Sequence, residues 1–138
     1  MTLHGADGLR WRLHAMEDAA GRYPKTWADE YVQVARPQIP VRTGKTRQSV
    51  QVRSADAEGA EIEGSRIAVL IDTGTLAHPI EPKREALKFK AGGQTVFARK
   101  VDHPGTRARP WRERASDEAL RRHPLADEVA VGPWNRAD

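Results

Sequence analysis

The chain of 138 residues contains no cysteine, no long apolar run and few residues of the types that build hydrophobic cores. Without cysteine there is no disulfide framework, no thiolate zinc site and no cysteine nucleophile. No stretch reaches the roughly 18 apolar residues that a transmembrane helix needs, so we expect no membrane association. The first residues show neither a basic nor an apolar stretch, which predicts no secretory signal and synthesis in a cytoplasm.

Strong core formers are scarce, because Leu, Ile, Val and Phe together supply only 25 of the 138 residues. That share lies slightly below the roughly 20 % typical of chains that do not fold by themselves. The net charge, however, is only +4, whereas disordered chains usually carry a higher one. We therefore expect a single folded domain that completes its burial against neighbouring molecules.

Positive charge is concentrated in two segments, 42–54 with four bases and no acid, and 99–122 with eight bases and four acids. The bases of the first segment are Arg42, Lys45, Arg47 and Arg53. Such a segment binds DNA phosphates, pairs with acids of a neighbouring subunit, or forms a solvated surface, and the sequence leaves these alternatives open. The first segment contains no aromatic residue on which bases could stack.

The spacing of apolar residues changes along the chain. From Leu9 to Val34 it is helical, which predicts a long N-terminal helix with a kink or break at Pro24. From about residue 47 the period is two, and the run Ile67–Ile71 is apolar on both faces, which predicts a central, buried strand. The Gly92-Gly93 pair between apolar segments predicts a β-hairpin that extends to residue 101.

A last helix is predicted from Pro110 to the His123-Pro124 pair, because Trp111, Ala115 and Ala119 share one face. The fold class is therefore α+β: a long N-terminal helix, a mostly antiparallel sheet of about four to five strands, and one C-terminal helix packed on the sheet. We expect residues 1–124 to form one domain and residues 125–138 an extended C-terminal tail.

No motif indicates an enzyme. Thr43-Gly44-Lys45-Thr46 looks like the end of a phosphate-binding loop, but Ile39 stands where that motif requires its first glycine. His78 and His103 lie in two irregular loops and lack the spacing of metal ligands; both precede proline, which indicates turns. We predict no catalytic, metal or cofactor site. A small hydrolase that uses His78 or His103 as a base is an alternative hypothesis.

Several short motifs between about residues 38 and 115 occur together in this order. They are Pro40-Val-Arg-Thr-Gly-Lys-Thr-Arg-Gln-Ser49, Ile71-Asp-Thr-Gly-Thr75, Phe97–Val101, His103-Pro-Gly-Thr106 and Arg109-Pro-Trp-Arg112. In this combination the chain resembles a family of small tailed-phage proteins of the neck, called head–tail joining or tail-completion proteins. It departs from the family pattern in having Asp72 instead of Glu and Trp111 instead of Phe.

The resemblance implies a non-enzymatic virion protein that is made in the host cytoplasm and assembles into a ring, most often of six subunits. Such a ring lies between head-side connector or stopper proteins and the tail tube or tail terminator, and packaged DNA passes through it. The alternative hypothesis is a cytoplasmic, sequence-independent DNA-binding module that uses the two basic segments.

The loops 73–82 and 103–110 are expected to contribute to the contacts between subunits. The candidate interface residues are Thr73, Gly74, Thr75, His78, His103, Pro104, Gly105, Arg109 and Trp111. The four bases of the segment 42–54 are expected to face either DNA or a neighbouring subunit.

Overall fold

The computed structural model describes residues 5–133 and has the expected α+β class, with a long N-terminal helix, antiparallel strand pairs and a C-terminal helix. The elements are α1 (Gly5–Ala35), a 3₁₀ turn (Arg36–Gln38), α2 (Lys45–Ser49), β1 (Gln51–Ala55), β2 (Ala60–Glu63), α3 (Arg66–Thr73), β3 (His78–Ile80), β4 (Leu87–Ala91), β5 (Gln94–Ala98), β6 (Val101–His103), α4 (Trp111–Arg122) and a π-helix (Ala126–Val131).

Helix α1 continues through Pro24, so the predicted break is absent. Tertiary contacts on both sides of the proline explain this. The Tyr23 hydroxyl donates to the His123 carbonyl at 2.7 Å, and the Glu30 carboxylate accepts from the Arg122 guanidinium at 2.6 Å. Because both contacts lead to the end of α4, they support the helix where Pro24 removes one backbone hydrogen bond.

The core lies between the second half of α1, the start of β1, α3 and α4. Its buried residues are Tyr31, Val32, Val34, Ala35, Ile39, Val50, Ala68, Trp111, Ala115 and Ala119. Small alanines on α1 and α4 let the two helix backbones approach closely. The first part of the apolar stripe predicted for α1 does not enter this core, because Leu9 and Leu13 remain 51 % and 52 % exposed.

The segment predicted as the central strand is instead helix α3, so that prediction is wrong. Ser65 caps the helix, since its side chain accepts a hydrogen bond from the Ala68 backbone N–H, and Gly74 ends it with φ +72°. Only Ala68 is buried, whereas Ile67 is 59 % exposed. The periodicity of five consecutive apolar residues does not distinguish a strand from a helix, and here the Ser65 N-cap favours the helix.

The strands form three separate antiparallel pairs, β1–β2, β3–β6 and β4–β5, instead of one sheet. Helix α3 takes the place of the predicted central strand, and in the described part of the chain no further strand joins the three pairs. The predicted hairpin is present as β4–β5, and Gly92 and Gly93 take φ +59° and +81° in its turn. Val101 belongs to β6 and not to the hairpin.

The C-terminal elements pack on α1. Helix α4 contacts α1 extensively, so the expectation that it packs on the sheet is wrong. The segment 126–131, predicted to be part of an extended tail, is a π-helix that also contacts α1. The rest of the predicted tail, residues 134–138, lies outside the described residues.

Candidate functional site

The two loops singled out from the sequence lie against each other. Thr75 and Thr106 exchange backbone hydrogen bonds of 2.9 and 3.0 Å, and β3 pairs with β6 directly beside them. The Arg109 N–H donates to the Ile71 carbonyl at 2.8 Å. The segments 71–80 and 101–112 therefore form one hydrogen-bonded unit, which we call the paired loops.

Gly74 and Gly105 allow this close approach. Both have a positive φ, +72° and +86°, which L side chains rarely adopt. A Cβ atom on Gly74 would lie 2.6 Å from the Thr106 carbonyl oxygen, and one on Gly105 would collide with the Thr75 carbonyl oxygen. Each glycine of the paired loops thus faces the backbone of the opposite loop.

Asp72 joins α3 to the start of α4. One carboxylate oxygen accepts from the Arg112 backbone N–H at 2.9 Å, and the other accepts from the Arg112 side chain, Nε at 2.8 Å and Nη2 at 2.7 Å. Burial raises the pKa of Asp72, but these bonds outweigh it and hold the pKa below its usual value. Pro110 provides no side-chain cap, so Asp72 caps α4 from another element.

Asp72 was not among the candidate site residues, although it lies within a motif of the resemblance. The available signal was an acid directly before Thr73-Gly74 together with an arginine directly after Trp111. Local spacing does not reveal that the two meet, because 40 residues separate them in the chain.

Trp111, a predicted interface residue, instead belongs to the core of its own chain. It is 4 % exposed, and its indole Nε1 donates to the Ala68 carbonyl at 2.8 Å. Most of this side chain therefore contacts its own chain, and what remains of its surface lines a groove between α1, β2, α3 and α4. The contact of Trp111 with α3 fixes the paired loops against the core.

His78 and His103 are cross-strand partners whose rings stack with centroids 5.1 Å apart. The Nδ1 atom of His103 accepts from the Gly105 N–H at 3.0 Å, and that of His78 lies 2.8 Å from the Leu76 carbonyl. Both rings thus hold the backbone of their own turns. Within residues 5–133 no three His, Asp or Glu side chains are grouped so that they could hold a metal ion.

The remaining candidate residues of the paired loops lie at their surface: Thr73, Pro104 and Arg109 are exposed, as is Leu76 at 88 %. The Thr73 hydroxyl donates to the Val69 carbonyl at 3.1 Å. The paired loops therefore expose Pro104, Arg109 and Leu76 to solvent on a backbone that internal hydrogen bonds hold in place.

The four predicted basic residues do not form a single free patch. The Arg47 guanidinium donates to the carbonyls of Ile39 and Pro37, and Arg53 forms an ion pair of 3.2 Å with Glu61. Arg42 and Lys45 are exposed. Only these two of the four are thus fully presented to solvent without an assigned partner among the described residues.

A further concentration of positive charge lies around the β4–β5 hairpin, where residues 83–100 contain six bases and one acid. Lys88 is the cross-strand partner of Phe97, and Lys90 that of Thr95, so these four side chains share one face. Phe97 is 65 % exposed, and the Lys88 ammonium lies 5.8 Å from its ring centroid.

An open cavity of about 360 Å³ lies between α1, β2, α3 and α4. Its apolar lining includes Trp27, Ile62 and Val69, with Tyr31 and Trp111 also contributing. The Trp27 indole Nε1 is buried and has no hydrogen-bond partner in the described part of the chain. We call this cavity the α1–β2 groove.

A charged cluster lies at the C-terminal end of α4. The Glu30 carboxylate binds Arg122 and lies 3.4 Å from His123 Nε2, while Glu128 lies 3.1 Å from His123 Nδ1. The hydrogen bond with Arg122 holds the pKa of Glu30 below its usual value despite burial. The hydrogen bond with Glu128 raises the pKa of His123 against the effect of burial, and Glu30 adds to the increase. The cluster ties together α1, α4 and the π-helix.

Comparisons of the chain with models of protein families, with curated proteins and with solved structures find no match. None of the helices in the described range 5–133 is long and apolar enough to cross a membrane.

Proposed function

We propose that this protein is a non-enzymatic structural component of the phage neck: a subunit of a six-membered ring that joins the DNA-filled head to the tail. In the virion it would contact head-side connector or stopper proteins on one side and the tail tube or tail terminator on the other. Packaged DNA would pass through the ring without being read in sequence.

The observation that carries the proposal is the pairing of the two loops. The motifs Ile71–Thr75 and His103–Arg112, on which the resemblance rests, lie about 30 residues apart and form one hydrogen-bonded unit. Gly74 and Gly105 allow its close backbone contacts, because a Cβ atom at either position would collide with the backbone of the opposite loop. A rigid, exposed, irregular surface without catalytic groups suits contacts between subunits, because little conformational entropy is lost when it is covered.

The thin core supports the same function. Among the described residues, large apolar side chains remain well exposed on several elements, including Leu9, Trp11, Leu76 and Phe97. Single exposed apolar residues are normal on monomers. Their number in a chain with so few core formers fits a subunit whose burial is completed by its neighbours.

The test combines assembly in solution with function in infection. We expect the purified chain to form rings at high concentration, seen by light scattering after gel filtration and by negative-stain microscopy. Leu76→Ser should weaken the rings without changing stability, because Leu76 is 88 % exposed. Lys25→Ser is the matched control, since Lys25 is exposed on α1 and forms only an ion pair of 2.7 Å with Asp29.

In cells, loss of the protein should leave filled heads and separate tails. A chain that stays monomeric at high concentration and is absent from the neck of purified virions would contradict the proposal.

A second candidate function is sequence-independent DNA binding, which the exposed Arg42 and Lys45 and the basic segment 83–100 favour. Binding through several phosphates would fall by roughly tenfold or more between low and physiological salt. A gel-shift titration of duplex DNA at two salt concentrations tests it. Equal, weak binding at both would argue against this function.

A further inference from the structure

The β4–β5 hairpin is unusual within this fold because it contacts no other helix or strand extensively in the described part of the chain. An isolated two-stranded hairpin is at best marginally stable in water and normally needs a third strand or a packed helix. Its face with Lys88, Lys90 and Phe97 is exposed to solvent. The hairpin is thus a formed element without extensive packing on another helix or strand among residues 5–133.

The α1–β2 groove has complementary properties. Most of its lining residues are apolar, with Val69 40 % exposed, and its volume of about 360 Å³ can admit an aromatic side chain. Glu63 and Arg112 also line it, and Glu61 lies two residues before Glu63 on β2. The segment 54–65, which supplies the β2 side of the groove, carries four acids and no base, and Arg53 and Arg66 flank it.

We propose that the β4–β5 hairpin of one copy docks into the α1–β2 groove of a second copy of this chain. Phe97 enters the groove between the apolar walls, as aromatic anchors do at interface centres. Lys88 and Lys90, on the same face as Phe97, lie against Glu61 and Glu63 at its rim. The charge complementarity between segments 83–100 and 54–65 is the argument for a second copy as the occupant.

This contact uses two different patches on each copy, so it joins copies head to tail and closes into a ring when the rotation allows. The inference rests on the proposed function in that it names the contact by which the ring forms. In the structure, Glu61 pairs with Arg53, and Gln51 donates to Glu63. Both acids are exposed, so exchanging these bonds for bonds to lysines has only a small free-energy cost.

Two charge-reversal variants test the contact: Lys88→Glu/Lys90→Glu, with an acidic hairpin, and Glu61→Lys/Glu63→Lys, with a basic groove rim. Each variant alone opposes like charges at every contact, so its self-association should weaken by at least about tenfold. An equimolar mixture restores opposite charges at every contact in alternating copies, and its assembly should return to within about threefold of the wild type.

Both variants should keep the wild-type circular dichroism spectrum and Tm, because all four residues are exposed. Arg22→Glu/Lys25→Glu is a control of equal charge change, at exposed positions of α1 outside the hairpin and the groove lining. Its assembly should stay at the wild-type level.

The outcomes separate the inference from the proposed function. If both variants form rings as the wild type does, or if mixing fails to restore assembly, the docking is wrong and the neck function stands. If the wild type itself never assembles, both are wrong. If Lys88→Glu/Lys90→Glu loses affinity for duplex DNA while its rings persist, the hairpin is a DNA-binding surface, which also overturns the docking.

Discussion

The core around Trp111 and the β4–β5 hairpin use similar aromatic side chains in opposite ways. Trp111 is 4 % exposed and its one polar atom donates to the Ala68 carbonyl, whereas Phe97 is 65 % exposed and shares its face with lysines. In the first region several long-range polar contacts hold apolar packing in place. In the second, the backbone pairing of two strands is the main organising contact. The difference teaches that residue type alone does not separate core from contact surface in this chain.

The largest expected effect is on the core side of the comparison. Trp111→Ala should lower the free energy of unfolding by about 3–5 kcal/mol, because it removes a buried ring and leaves the Ala68 carbonyl without its donor. Trp11→Ala is the matched control: Trp11 is 59 % exposed, so a change within about 0.5 kcal/mol is expected. Urea unfolding measures both, and equal losses would contradict the assignment of Trp111 to the core.

The next effect concerns the paired loops. Gly74→Ala should cost at least about 2 kcal/mol, because alanine at a positive φ is strained and its Cβ meets the Thr106 carbonyl. Gly59→Ala is the control, since nothing lies within 4 Å of its Cβ position and its φ is not positive. We expect Gly59→Ala to be neutral or slightly stabilising. A neutral Gly74→Ala would mean that the loops do not approach as described.

Asp72→Asn should lower stability at neutral pH by about 1–2 kcal/mol, because it weakens the charged bonds that hold Arg112. The pKa of Asp72 is lowered on folding, so its contribution is present above the unfolded pKa of about 4 and is lost as pH falls through the folded value. Wild type and variant should therefore converge in acid. Asp117→Asn, at an exposed position on α4, should show no such convergence.

The His123 cluster should act in the opposite direction. Because the pKa of His123 is raised on folding, its contribution is present below about pH 6.5 and is lost as pH rises through the folded value. The unfolding midpoint of the wild type should decline as the pH rises from about 6.5 through the folded pKa of His123. The variant His123→Gln should remove this decline. His14→Gln changes a largely exposed histidine and should leave it in place; a decline that survives in His123→Gln would refute this role.

The smallest effect on stability is expected on the hairpin side. Phe97→Ser should change the free energy of unfolding by less than about 0.5 kcal/mol, because Phe97 is mostly exposed. Its self-association should nevertheless weaken. A large loss of stability in the isolated chain would show that Phe97 belongs to the core and would remove the contrast between the two regions.

The sequence predicted those elements whose signals are local. The hairpin turn at Gly92-Gly93 depends on two residues that take positive φ, and α4 ends at a His-Pro pair, so neither needs tertiary information. The face of Trp111, Ala115 and Ala119 is buried as its spacing indicated. Within the candidate site, the sequence identified the two loops but not what they contact, and it placed Trp111 at a subunit interface.

Other features depend on residues that are distant in the chain. The run Ile67–Ile71 suits a strand as well as a helix, and the Ser65 cap together with burial of Ala68 under Trp111 selects the helix. Pro24 predicts a kink or a break, yet α1 continues through it without a break, with tertiary contacts on both sides of the proline. The basic charge of residues 83–100 can be counted in the sequence, but only the strand register places Lys88 and Phe97 on one face.

By itself, then, the sequence determined the α+β class, the long first helix, the hairpin turn and the last helix, because caps, glycines, prolines and apolar spacing act within a few residues. Only the tertiary structure decided that the loops 73–82 and 103–110 lie together, that Asp72 caps α4 and that Trp111 is buried. Those outcomes follow from backbone contacts, a charged bond and an indole hydrogen bond across 31 to 43 residues of chain. Closing such distances has an entropic cost that only the completed core offsets.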